Sequence, residues 1–264
     1  MITPKKSVLL GLLLLVAVCT GKAQDLSQYQ YKQFISGKDT LLYRMLLPQN
    51  FDPAKEYPVL FFLHGRGEQG HNNEAQLTHG GKLFLREDIR QNFPAIVIFP
   101  QCPTNSYWAN VKIDTLPTGK RQFNFVKGGQ PMKPLQLVLD LMKQMRKEKF
   151  VDEDRLYVGG LSMGGMGTLE VLRRKPQYFA AAFAICGGDN VANVPKYKKV
   201  PLWVFHGGKD DVVVPTFSEN VVKALKAQGA KEVRFTLYPE ANHNSWDSAF
   251  AEPELLPWLF SHEK

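Results

Sequence analysis

Apolar positions in this chain fall into short runs, separated by stretches with helical spacing. Val59-Leu60-Phe61-Phe62-Leu63 and Ala95-Ile96-Val97-Ile98-Phe99 contain no polar residue, the pattern of strands covered on both faces. Leu156-Tyr157-Val158, Ala181–Ile185 and residues 202–205 and 233–237 continue the series. Residues 29–35 and 40–47 instead alternate in polarity and predict an antiparallel edge. Between the strands, Pro134 suits a first helical turn, followed at helical spacing by Leu135, Val138, Leu139, Met142 and Met145. Phe217, Val221, Val222 and Leu225 form a second apolar stripe, which Gly229 ends. Strands alternating with helices predict an α/β fold with a mostly parallel central sheet and helices on both faces. With no internal repeat or linker, residues 24–264 read as one domain. Residues 100–130 form a long connection whose Trp108, Phe123 and Phe125 argue for a functional loop and against disorder.

The N-terminus reads as an address. Lys5 and Lys6 precede an apolar run over residues 8–18, too short for a stable membrane span, which needs about 20 residues. Gly21 and Ala23 supply small residues ahead of Gln24, so residues 1–23 are expected to be a signal peptide and the chain to be exported, to a periplasm or beyond. The rival is lipid attachment at Cys19, for which Val18 is a poor preceding residue. Export leaves Cys102 and Cys186, read as two unpaired, mostly buried thiols.

Composition narrows the function classes. At 44% hydrophobic and 22% charged the chain is ordinary globular protein. Its net charge of +8 includes Lys5, Lys6 and Lys22, without which 30 basic residues face 25 acidic ones. Arg173-Arg174-Lys175 and Lys196 with Lys198-Lys199 are the densest basic clusters, which is solvated surface and no nucleic-acid face.

The chemistry is concentrated in a few places. Gly160-Leu161-Ser162-Met163-Gly164 directly follows a strand and precedes a helical run through Leu169 and Leu172. That is the strand–turn–helix setting of a nucleophile elbow, in which glycines make room for a strained serine. A serine hydroxyl needs a base and an acid that orients the base. Of the histidines after Ser162, His262 lies at the chain end and His206 precedes every acid that could serve, so His206 reads as a turn-shaping residue. His243 lies in a loop after the last strand and is the expected base.

These motifs, together with His206-Gly207-Gly208-Lys209-Asp210-Asp211, Leu63-His64-Gly65-Arg66-Gly67-Glu68-Gln69-Gly70 and Pro100-Gln101-Cys102-Pro103 with Trp108, resemble secreted α/β-hydrolase esterases. The likeness is to the feruloyl- and acetyl-xylan-esterase type and to phospholipase/carboxylesterase relatives, over roughly residues 57–250. It implies a Ser162–His243–Asp210 triad and an oxyanion hole from the backbone N–H groups of Arg66 and Met163. Gln101 and Trp108 would border the substrate, with Trp108 available to stack on a sugar or phenolic ring. The acid has two anchors: counting from His206 selects Asp210, counting back from Pro215 selects Asp211, and the strand-side anchor is preferred.

The expected activity is hydrolysis of small-molecule or polysaccharide-linked carboxylic esters. The alternative is a prolyl-oligopeptidase-like peptidase, which usually carries a gating domain that this chain lacks room for. Residues 187–200 are too few for a large lipase-type lid, so an open site is expected. His64, His71 and His79 are not spaced as a zinc-binding pair, and no phosphate loop or dinucleotide fingerprint occurs; no metal or cofactor is implied.

Overall fold

The computed structural model describes residues 25–264; the expected signal peptide and Cys19 lie outside the described residues. In chain order the elements are β1 (Gln30–Ser36), β2 (Asp39–Leu46), β3 (Tyr57–Leu63), α1 (Glu87–Asn92), β4 (Ile96–Pro100), β5 (Val111–Thr115), β6 (Arg121–Phe125), α2 (Lys133–Met145), β7 (Val151–Leu161) and α3 (Met163–Arg174). They continue with β8 (Ala181–Ile185), β9 (Leu202–Gly207), α4 (Thr216–Ala227), β10 (Val233–Tyr238), α5 (Trp246–Ala251) and α6 (Leu255–Phe260).

Eight strands form one sheet in the order β1-β2-β4-β3-β7-β8-β9-β10. The polarity-alternating pair β1 and β2 is the antiparallel edge, with Gln30 opposite Met45 and Ser36 opposite Asp39. β2 also runs antiparallel to β4, and every pairing beyond that is parallel. The continuous apolar runs are buried on both faces because alternate residues enter different cores. Phe61, Leu63, Ile98, Val158 and Val204 pack with residues of α2, α3 and α4. Leu60, Phe62, Phe99, Tyr157 and Phe205 pack with α6 and with Leu77 and Phe84 of the β3–α1 connection. Side chains that alternate across a pleated strand must divide in this way once both faces are covered.

Residues 100–130 differ from the expected loop. β5 and β6 form an antiparallel hairpin, Val111 opposite Phe125 and Thr115 opposite Arg121. Its turn is made by Gly119, at φ +79°. Phe123 is buried in a third cluster with Ala109, Met166 and Val213, and Phe125 packs edge-on to Phe217 of α4. The hairpin therefore clasps the carboxyl end of the sheet, and its few inward residues take their partners from distant loops.

Candidate active site

Crevices of an open α/β sheet lie beyond the carboxyl ends of its parallel strands, and here five strands deliver residues to that edge. β3 ends in the His64–Arg66 turn, β7 in Ser162, β8 in Cys186, β9 leads to Asp210, and β10 leads to His243.

The turn at Ser162 is forced by close packing. A Cβ on Gly164 would stand 1.8 Å from the Leu63 carbonyl oxygen, and one on Gly160 would stand 2.5 Å from the Gly164 carbonyl oxygen. Neither position tolerates a side chain. Ser162 itself is held at φ 54°, ψ −116°, a conformation that costs about 1–3 kcal/mol. Its N–H donates to the Ile185 carbonyl at 2.8 Å and its carbonyl accepts from Met166 at 3.0 Å, so the surrounding backbone dictates the strain.

Ser162 Oγ lies 2.9 Å from His243 Nε2, and His243 Nδ1 lies 2.8 Å from Asp210 Oδ2. A carboxylate can only accept, so Nδ1 carries the proton toward Asp210 and Nε2 is left to accept from the serine hydroxyl. The other Asp210 oxygen accepts the backbone N–H groups of Val212 and Val213, each at 2.9 Å. Burial alone would raise this carboxyl, but hydrogen bonds from His206, His243 and Val213 outweigh it and hold Asp210 well below the usual carboxylate range. Asp211 is exposed, and its backbone N–H donates to Asn242 Oδ1. The geometry brings Asp210, and not its neighbour, to the histidine.

His206 braces the turn as expected: Nε2 donates to the Val213 carbonyl and Nδ1 meets Ser218 Oγ, each at 2.7 Å. It also does what its position in the sequence hid, placing Nε2 3.2 Å from Asp210 Oδ2. His64 is fully buried: Nδ1 donates to the Gly65 carbonyl at 2.6 Å and Nε2 accepts the Cys102 N–H at 2.9 Å. Burial lowers its imidazole to about 4, so it stays neutral and pins the glycine turn. Arg66 and Met163 each open a helical turn beside Ser162, so their N–H groups have no acceptor within that turn.

Two expected substrate contacts require correction. Trp108 is fully buried, its indole N–H donates to the His64 carbonyl at 3.2 Å, and its ring packs edge-on to His64. It cannot stack on a ligand. Gln101 is buried too, and its amide ties Asn73 N–H, the Glu68 carbonyl and Asn72 Oδ1 together. Both support the turn that carries Arg66. The cleft over Ser162 and His243, about 440 Å³, is lined instead by Arg66, Glu68, His79, Arg121, Val212 and Trp246 among others. Trp246 is half-buried and contacts the rings of both His79 and His243. Its place three residues beyond the base was the one available sequence signal; Arg121 and His79 arrive only through tertiary folding.

Cys102 and Cys186 are free and buried. Cys186 Sγ, an Asp210 oxygen and a His243 nitrogen lie within 4.8 Å of one another. Burial raises the Cys186 thiol, which therefore keeps its proton, and Asp210 and His243 already satisfy each other. These residues fit a hydrogen-bonded relay and not a metal centre.

A family model described as phospholipase/carboxylesterase matches residues 52–252. A bifunctional acetylxylan esterase/xylanase of Neocallimastix patriciarum is 30% identical over 194 residues, 73% of this chain and 24% of that protein. A probable dipeptidyl-aminopeptidase B of Ajellomyces capsulatus is 23% identical over 75% of this chain and 23% of its own length. The chain thus spans about a quarter of these curated relatives. The crystal structure of a thermostable esterase superposes with a TM-score of 0.79 at 33% identity, covering 90% of this chain and 64% of that one.

Proposed function

The chain belongs to the phospholipase/carboxylesterase family, and from that premise we propose that it is an exported serine carboxylesterase acting through Ser162, His243 and Asp210. The observation that carries this reading is the continuous hydrogen-bonded path from Ser162 Oγ through His243 to Asp210, on a serine held in a strained elbow.

In the first half-reaction His243 Nε2 takes the hydroxyl proton as Ser162 Oγ attacks the ester carbonyl carbon. The carbonyl π electrons move to oxygen, and the N–H groups of Arg66 and Met163 receive that oxyanion. Asp210 stabilises the imidazolium without taking its proton. The intermediate collapses, the alkoxide leaves with the proton from His243, and an acyl ester remains on Ser162. Water then repeats the sequence, releasing the carboxylic acid and restoring the serine.

The substrates are proposed to be polysaccharide-linked or phenolic esters. The connection from β8 to β9 carries one short 3₁₀ turn, Val191–Lys196, and no large lid, which leaves the cleft open to bulky alcohols. The acetylxylan-esterase relative supports the same class. Export rests on the basic, apolar and small-residue pattern of residues 1–23.

A prolyl-specific peptidase is the second reading, favoured by the dipeptidyl-aminopeptidase relative. Hydrolysis of nitrophenyl acetate, butyrate and decanoate, methyl ferulate, acetylated xylan and a prolyl peptide separates the two. The expected result is ester cleavage that Ser162→Ala lowers by several orders of magnitude, toward the ~10⁶ known for loss of a triad nucleophile. Efficient cleavage of the peptide with weak action on every ester would reverse the assignment.

A further inference from the structure

We propose that this cleft selects esters that carry a carboxylate close to the scissile bond, held by the guanidinium groups of Arg66 and Arg121. The inference rests on the carboxylesterase reading and deepens it.

Arg66 and Arg121 line the cleft that contains Ser162 and His243, and both are exposed. They come from separate elements: Arg66 from the turn after β3, Arg121 from the first residue of β6 in the hairpin that clasps the sheet. Both lie on the wall of the same cleft, beside Ser162 and His243. Among the described residues neither meets a carboxylate. The acid in the cleft wall, Glu68, is buried and turned to His79 at 3.6 Å, and burial raises its carboxyl. The rest of the wall includes Leu161, Val212 and Trp246, which carry no charge. The opening above the nucleophile is therefore cationic.

Two guanidinium forks suit a planar carboxylate and match no feature of a neutral acyl chain. Such a group could lie on the acyl side of the ester, as in a dicarboxylic half-ester, or on the alcohol side, as in an acetylated uronate sugar. The shared chemistry is one carboxylate within reach of both arginines.

The test compares two matched pairs by kcat/KM with the full mature protein. The acyl-side pair is 4-nitrophenyl hydrogen adipate against 4-nitrophenyl hexanoate; the alcohol-side pair is an O-acetylated methyl glucuronoside against the corresponding methyl glucoside. The expected result is a preference for the charged member of at least one pair by about tenfold, the scale of a solvent-screened hydrogen bond to a charged group. The pair that shows it identifies the source. Arg121→Gln should remove most of that preference and high salt should collapse it, whereas Lys226→Gln on α4 should leave it intact. Equal rates within both pairs, or a preference that survives both Arg121→Gln and high salt, would overturn the proposal while leaving the esterase reading in place. Should Arg121→Gln fail to fold, the salt dependence of the wild type still decides. Inertness toward all four esters would overturn both readings.

Discussion

Replacing His64 by Gln should make folding stability depend less on acidity. In the folded chain His64 donates from Nδ1 to Gly65 and accepts at Nε2 from Cys102, so a second proton would break a bond and strand a charge in the core. Burial accordingly lowers it from 6.5 to about 4. Between those values the unfolded chain binds a proton that the folded chain refuses, so His64 contributes stability that is present above pH 6.5 and lost as pH falls through the window to 4. The gap of about 2.5 units corresponds to ~3 kcal/mol. The wild-type profile alone conceals this. Asp189, raised to about 6 chiefly by burial, takes up a proton on folding over nearly the same window and so gains stability as pH falls. Subtracting the variant removes that opposing contribution. Denaturant unfolding of both proteins at pH 7, 5.5 and 4 should show the wild type losing ~3 kcal/mol relative to His64→Gln, with no further divergence below 4. Parallel stability curves would refute the argument and leave His64 as a pH-independent brace.

Asp210→Asn should cost about 10⁴ in turnover on an acetate ester, because an amide favours the wrong histidine tautomer. Asp211→Asn, an exposed change, should cost less than about tenfold, as surface substitutions do; a larger loss at Asp211 would move the role by one position. Trp108→Ala should destabilise the fold by about 3–5 kcal/mol, as loss of a buried indole does, measured by denaturant unfolding. Trp246→Ala, at the cleft wall, should instead raise KM for aromatic esters with a smaller loss of stability, and the opposite pairing of effects would restore Trp108 to the substrate.

Local pattern determined much of this protein. Unbroken apolar runs announced doubly covered strands, because a residue on either face of such a strand must be apolar. The elbow was legible because the turn admits no side chain at Gly160 or Gly164, which imposes glycine whatever the rest of the chain does. His243 was legible from its order and its loop beyond the last strand, whereas Asp210 followed from the family resemblance, which left Asp211 one residue away; the hydrogen bond from His243 Nδ1 goes to Asp210. The tertiary structure decided what depends on which distant segments meet. Trp108 sits on the expected segment, yet Gly167 of α3 and His64 close over it and make it core. Residues 111–125 pair into a hairpin whose inward side chains find partners on α3 and α4, and so carry Arg121 to the cleft. His206 reaches Asp210 because the chain doubles back after β9. A sequence records steric demands that each residue meets beside its own neighbours; contacts between loops from separate strands are set by the sheet that spaces those strands apart.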